Sequence, residues 1–301
     1  MTASDPCARL GTCRLVWVLF AALMAPAALA ASSTPAYVQV AAGSFLSLLP
    51  PDGKQAKAQV SDFSMRILPV SNAEFARFTQ TRPAWRRNRV AGTTLADAQY
   101  LQGWPASYQG HAWPDPAQLS MPATAVSWFA AQAYCEAEGG HLPTWHQWEY
   151  VAAADATRRD ARADPLWRAR ILDWYGQTSK VLPAVGSTAK NAYAVKDMHG
   201  VIWEWVEDFG ALMVSGDNRT QGDPDVVRFC GAGAISANDR ENYPVLMRMA
   251  MLSSLSAAST NRNLGFRCVK DRAGLPGKPT PNSTGKSTGK STGKLSIRSV
   301  S

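Results

Sequence analysis

The chain has 301 residues, enough for one large domain or two ordinary ones. With 46% hydrophobic residues and 11 Trp it can fill a core, which excludes a disordered or fibrous protein. The formal net charge of +8 does not mark a nucleic-acid binder: after Asp271 come Arg272, Lys278, Lys286, Lys290, Lys294 and Arg298 with no acid, so most of the excess lies in a tail and the rest is close to neutral.

Residues 1–30 read as a secretory signal peptide. Arg9 and Arg14 precede an apolar run from Leu15 to Leu29, and Ala28-Leu29-Ala30 offers a cleavage site before Ala31. The rival, an uncleaved anchor, is opposed by Pro26 and by the small residues that end the run, so no stable membrane insertion is expected after cleavage. Neither Cys7 nor Cys13 directly follows the run, so a lipoprotein is not indicated and both leave with the leader. The mature chain is expected to be periplasmic or secreted. It keeps Cys135, Cys230 and Cys268, which allow at most one internal disulfide and one spare thiol.

From Tyr37 to Phe63, short apolar runs broken by Pro50-Pro51-Asp52-Gly53 predict a hairpin-like entry, followed by a strand from Phe63 to Pro69. Ser71 with Glu74 forms the pattern of a capping box, opening a helix whose Phe75 and Phe78 face the core. Trp85 to Gln118, polar and punctuated by Gly and Pro, is expected to be irregular; its Arg86, Arg87 and Arg89 either meet an anion or are solvated. Trp128, Ala131, Gln132 and Cys135 share one helical face, and Gly139-Gly140 ends that helix. Thr144 with Gln147 repeats the capping box and opens a helix to Ala154. His141 and His146 lack the spacing of two zinc ligands on one helical face. Residues 157–170, rich in Arg and Asp, predict a solvated loop or exposed helix. The tail from 273 to 301 repeats Ser-Thr-Gly-Lys and has too few apolar residues to order itself.

The most informative stretch runs from Asp197 to Asp208 (DMHGVIWEWVED). As a strand from Val201 to Val206 it places Ile202, Glu204 and Val206 on one face and Trp203 and Trp205 on the other. Glu204 then lies among apolar neighbours, where a carboxylate must be paired, protonated or bound to a metal. Gly200 allows a turn that brings Asp197, a nearby carbonyl and Glu204 toward one hard cation.

This stretch resembles the D/N-x-x-G-N-x-W-E-W signature of the formylglycine-generating-enzyme (sulfatase-modifying factor) family. Three more segments are similar, in the same order: FSMRILPVSNAEFARF at Phe63–Phe78, PATAVSWFAAQAYCEAEGGHLPTWHQWEY at Pro122–Tyr150, and NLGFRC at Asn263–Cys268. The resemblance implies an α+β fold of the formylglycine-generating-enzyme type, C-type-lectin-like, with little regular secondary structure and long loops, over residues 31–272. It further implies a Cys135–Cys268 disulfide, Trp148 and Glu149 packed inside, and structural Ca2+ held by Asp197 and Glu204 with the carbonyls of Gly200 and Ile202. A second calcium site would fall at the W-G turn that Asp173-Trp174-Tyr175-Gly176 loosely matches.

Aerobic members of the family oxidise a substrate cysteine with copper(I) on two thiolates, soft ligands suited to that ion. Their positions fall near Asp239 and Pro244 here, and neither is sulfur. Copper is therefore not expected. The chain looks like exported members without the thiol pair, among them PvdO, NirV and TagR, which act in maturation of, or regulatory contact with, periplasmic proteins. The resemblance thus implies an accessory or maturation factor that binds a periplasmic client protein or peptide. The alternatives are an oxidoreductase-type enzyme using the same groove without thiols, and a true formylglycine-generating enzyme. Candidate acid/base residues in the groove are Asp239, Glu241 and Tyr243, which read equally as a polar rim over a core of Met247, Met249 and Met251.

Overall fold

The two ends of the folded region meet on one strand. In the computed structural model, which describes residues 36–47, 57–105, 113–176, 181–212 and 243–272, with backbone alone at 211–212 and 243–244, β1 (Tyr37–Val40) and β7 (Val269–Asp271) flank β4 (Phe63–Arg66) in an antiparallel sheet. The registers are Tyr37 opposite Arg66 and Met65 opposite Val269. Two smaller sheets complete the strands: antiparallel β2 (Gly43–Phe45) with β3 (Ala58–Val60), and parallel β5 (Trp203–Glu204) with β6 (Leu264–Gly265). Around them lie α1 (Asn72–Thr81), α2 (Arg87–Val90), α3 (Trp128–Ala137), α4 (Trp145–Ala152), α5 (Pro165–Gly176) and α6 (Tyr243–Ser253).

Local chemistry sets the helix starts. Ser71 N–H donates to Glu74 Oε2 at 2.8 Å while Ser71 Oγ accepts from Glu74 N–H, and Thr144 and Gln147 make the same reciprocal pair. Glu74 also pairs with Arg66, whose guanidinium reaches Glu138 on the other side at 2.6 Å. These contacts tie α1 and the end of α3 to β4. Behind them Phe75, Phe78, Tyr134 and Phe266 pack with ring centroids 5.3–5.9 Å apart. Each such buried side chain contributes about 1.5–3 kcal/mol. Gly139, at φ +76, ends α3 in the left-handed region that glycine adopts without strain.

Cys135 and Cys268 form a disulfide across 133 residues, joining α3 to the connection between β6 and β7. At Gly265 a side chain would collide with the Ala123 carbonyl, so the parallel β5–β6 pair can press against the 122–126 segment only with glycine there.

Several expectations need correction. The strand expected from Val201 to Val206 shrinks to Trp203–Glu204, because its partner β6 offers only Leu264–Gly265 to pair with, the Trp203 and Trp205 N–H groups donating to the Asn263 and Gly265 carbonyls. The strand from Phe63 stops at Arg66. Residues 85–118 contain a short helix, α2, and Arg86 and Arg87 donate to the carbonyls of Thr79 and Tyr100. Asp173 to Gly176 form the last turn of α5 and not a loop turn. Tyr243–Ser253 is helical, and on it Met247 is exposed while Met249 is buried. The leader, the Pro50–Gly53 turn, Cys230 and the tail from 273 lie outside the described residues.

Candidate functional site

Glu204 sits on β5 with no exposed surface. Arg267, equally buried, donates through Nε to Oε1 and Oε2 at 3.0 and 2.9 Å and through Nη2 to Oε1 at 2.8 Å. Trp148 Nε1–H donates to Oε2 at 2.8 Å. The remaining N–H groups of Arg267 reach the carbonyls of Arg66, Ile67 and Lys196 at 3.0–3.3 Å. All five donors of that guanidinium are thus engaged, as a buried arginine requires. The three carbonyls come from the ends of β4 and the turn before Asp197, so one ion pair fastens three distant segments.

A second arginine lies alongside. Arg248, on α6, is buried, donates through Nη2 to the Glu204 carbonyl, and stacks its guanidinium 3.6 Å from the Trp148 ring centre. Burial is the main cause that lowers its pKa to about 10, with the Arg267 charge adding to it and Glu204 opposing. Trp148 therefore meets a carboxylate at its edge and a cation on its face. His199 completes the group, its ring edge-on to Trp148 and Trp167 at 5.7 Å each and its Nε2 2.9 Å from the Ala152 carbonyl. Burial, aided by the Arg248 and Arg267 charges against the Ala152 bond, lowers its pKa to about 4 and keeps it neutral.

Asp197 lies seven residues upstream at φ +61 and is also buried. Its carboxylate accepts from Gly186 N–H, from Thr188 N–H at 3.0 Å and from Thr188 Oγ at 2.8 Å. Thr188 Oγ in turn accepts from Asp197 N–H at 2.7 Å. Gly200, at φ +97, makes the turn between Asp197 and β5.

The four residues that the resemblance assigns to Ca2+ offer hard oxygen donors, the chemistry the ion prefers. Ile202 is buried, and no hydrogen bond between described residues uses its carbonyl or that of Gly200. Both Asp197 oxygens already accept from Gly186 or Thr188, so Asp197 would serve such an ion only by sharing an oxygen, whereas the two carbonyls are unused by described residues. Glu204 fits it only by sharing an oxygen already held by Arg267 or Trp148. Among the described residues no group of three or more His, Cys, Asp or Glu side chains is placed to hold a metal.

Of the candidate acid/base residues, Asp239 and Glu241 lie outside the described residues, and Tyr243 is the first residue of α6. The sequence reading missed Arg267 and Arg248 as members of the centre. The demand of a buried Glu204 for a counter-charge is the signal that leads to Arg267, an arginine set between two buried residues of GFRC.

A mixed α+β domain with modest regular secondary structure, closed by a long-range disulfide and centred on this ion pair, has the formylglycine-generating-enzyme fold. The chain belongs to the family of the sulfatase-modifying factor enzyme 1-like domain, which matches residues 22–272. It is 28% identical over 268 residues to the formylglycine-generating enzyme of Streptomyces coelicolor, covering 73% of this chain and 84% of that one. It is 24% identical over 269 residues to the bovine inactive Cα-formylglycine-generating enzyme 2, covering 76% and 85%. A stretch of 162 residues is 32% identical to hercynine oxygenase of Mycobacterium tuberculosis, covering 48% and 37%. Among solved structures, PvdO from Pseudomonas aeruginosa is similar over 79% of this chain and 95% of its own, at 17% identity and a TM-score of 0.41.

Proposed function

We propose that this protein is an exported accessory or maturation factor that binds a periplasmic client protein or peptide and does no thiol-based oxidation. One observation carries the reading. Within residues 22–272 there are three cysteines, and the disulfide takes Cys135 and Cys268, which leaves Cys230 as the sole remaining sulfur ligand of its kind. A two-thiolate copper site cannot be built from one thiolate. The bovine and mouse relatives named inactive are consistent with loss of the oxidase reaction in this family. No helix among the described residues is long and apolar enough to cross a membrane. After export the domain would work as a binding partner held together by its disulfide.

Calcium, in this reading, is structural. Asp197 with the carbonyls of Gly200 and Ile202 would hold it, and the ion would fix the turn that leads into β5. Its test is thermal unfolding with excess calcium against excess chelator: calcium raises Tm in the wild type and leaves Asp197→Asn unmoved. Equal Tm values in the wild type would dismiss the ion.

The reading itself is tested twice. A sulfatase-type cysteine peptide incubated with the protein and copper(I) stays unmodified by mass spectrometry; conversion to formylglycine would overturn the proposal. A deletion strain is then complemented by a chain carrying Asp239→Ala, Glu241→Ala and Tyr243→Phe together. Full complementation supports the binding role. Failure by a folded, exported variant would favour the oxidoreductase reading, to which the hercynine oxygenase similarity lends its name.

A further inference from the structure

A second place in the molecule has charge that the fold does not use. Between the β2–β3 hairpin, the end of α4 and the loop at 155–162 lies a cleft of about 350 Å³, within the size range of small-ligand sites. Its apolar wall is Phe45 and Leu46, the latter 58% exposed, and its floor carries Tyr150 and Tyr193. Tyr150 presses its hydroxyl against the β2 backbone at Gly43, where a Cβ would collide with it. The glycine thereby admits the ring to the cleft.

The polar groups differ in how far they are engaged. Arg162 is held by Asp160 at 2.7 and 3.0 Å and by the Leu46 carbonyl at 2.6 Å. Asp160 is thereby neutralised. Arg159 makes no hydrogen bond or ion pair among the described residues; it lies over the Tyr193 ring, 5.5 Å from its centre. Stacking fixes the guanidinium plane and leaves its N–H edge available. Tyr193 is buried, and its hydroxyl meets no partner in hydrogen-bond geometry, although the Tyr150 ring is 5.4 Å away. Burial, with the nearby Tyr150 hydroxyl, raises its pKa, so it remains a donor at neutral pH. Lys57 adds a third cation to the lining against the single carboxylate of Asp160.

We infer that this cleft binds a carboxylate ligand with an apolar arm, the carboxylate lying against Arg159 and the Tyr193 hydroxyl and the arm against Phe45 and Leu46. A planar carboxylate matches the two-pronged N–H edge of a guanidinium. The apolar wall gives a bare inorganic anion nothing to cover. The source is either a free organic acid or the acidic residue or C-terminus of a polypeptide. The inference stands on the cleft alone and does not depend on the absence of oxidase chemistry.

The test is titration calorimetry on the full chain at constant ionic strength. The probes are phenylacetate, its neutral amide, inorganic phosphate, and a short peptide ending in a free Phe carboxylate. Phenylacetate or the peptide is expected to bind saturably and the amide and phosphate not. Arg159→Ala is expected to weaken binding at least about tenfold and Tyr193→Phe less, as loss of a charged and a neutral hydrogen bond predict. Tighter binding of the peptide would identify a polypeptide source, tighter binding of phenylacetate a free acid. Equal binding of acid and amide, unchanged binding by a folded Arg159→Ala chain, competition by phosphate, or no saturable binding of either carboxylate would each overturn it.

Discussion

The buried centre at Glu204 and the cleft at Arg159 both combine arginine with aromatic rings, yet they differ in what the cations meet. At the centre Arg267 has every donor bonded and Arg248 lies under Trp148 with its charge enclosed. In the cleft Arg159 stacks on Tyr193 but bonds to nothing among the described residues. Burial explains the contrast. A charge removed from water is costly unless the fold compensates it, as Glu204 does for Arg267. The Glu204 carbonyl and the Trp148 face do so in part for Arg248, whose Nε meets no partner among the described residues. A charge at a rim can be left to solvent or to a ligand at little cost. The first arrangement holds segments together; the second is free to recognise something else.

The comparison is sharpest at Glu204. Glu204→Gln keeps the shape and the acceptor for Trp148 but strands the Arg267 charge in the core, and should destabilise the protein by about 3–5 kcal/mol. Urea unfolding of the purified chain measures this. Replacing both partners, Glu204→Met with Arg267→Leu, should recover much of the loss, since no buried charge is then left alone. A single variant as stable as the wild type would show that water reaches the centre. Removing the Cys135–Cys268 bond with paired serines comes next, at about 2–5 kcal/mol, because a closed loop of 133 residues restricts the unfolded chain strongly. Unfolding with and without reductant reads it, and equal midpoints would contradict it.

A smaller effect follows from pH. His141 lies 3.3 Å from both Glu207 and Asp271, linking the end of the main sheet to the segment after β5. Burial alone would lower its pKa, but the Glu207 hydrogen bond and charge, the Leu142 carbonyl and Asp271 outweigh that and hold it up to about 9. A pKa raised from 6.5 means stability present in full below about pH 6.5 and lost as pH rises through 9. His141→Gln should flatten Tm against pH over that window. An unchanged slope would mean the two carboxylates are screened by solvent.

What could be read from the sequence follows the same division between near and far. The capping boxes at Ser71 and Thr144 are visible because their partners lie within four residues, whereas the face expected for α3 is only half right: Ala131 and Cys135 are buried, but Ala130 and Tyr134 are buried in place of Trp128 and Gln132. Burial of Glu204 was legible from alternation, but its partner Arg267 stands 63 residues away, beyond the reach of any local pattern. The Arg- and Asp-rich stretch from 157 to 170 was readable as polar. That Arg162 would pair with Asp160 while Arg159 stacked on Tyr193 depends on where the 191–195 turn is placed, and Asn191 sets that turn by accepting from Tyr193 and Val195 N–H.

The smallest expected effect is the most discriminating. If Arg159 contributes nothing to holding the fold, Arg159→Ala should leave stability within about 0.5 kcal/mol of the wild type, as for surface substitutions that break no buried network. The stacked contact with Tyr193 is worth little at an exposed position, and the desolvated ring keeps its other neighbour, Tyr150. Arg162→Ala is the internal control. It removes the bond to the Leu46 carbonyl that links the 155–162 loop to the β2 end, along with the pairing to Asp160 inside the loop, and should cost more than Arg159→Ala in the same urea titration. A loss for Arg159→Ala as large as that for Arg162→Ala would place both arginines with the residues that maintain the fold, and the contrast with the Glu204 centre would then reduce to depth of burial alone.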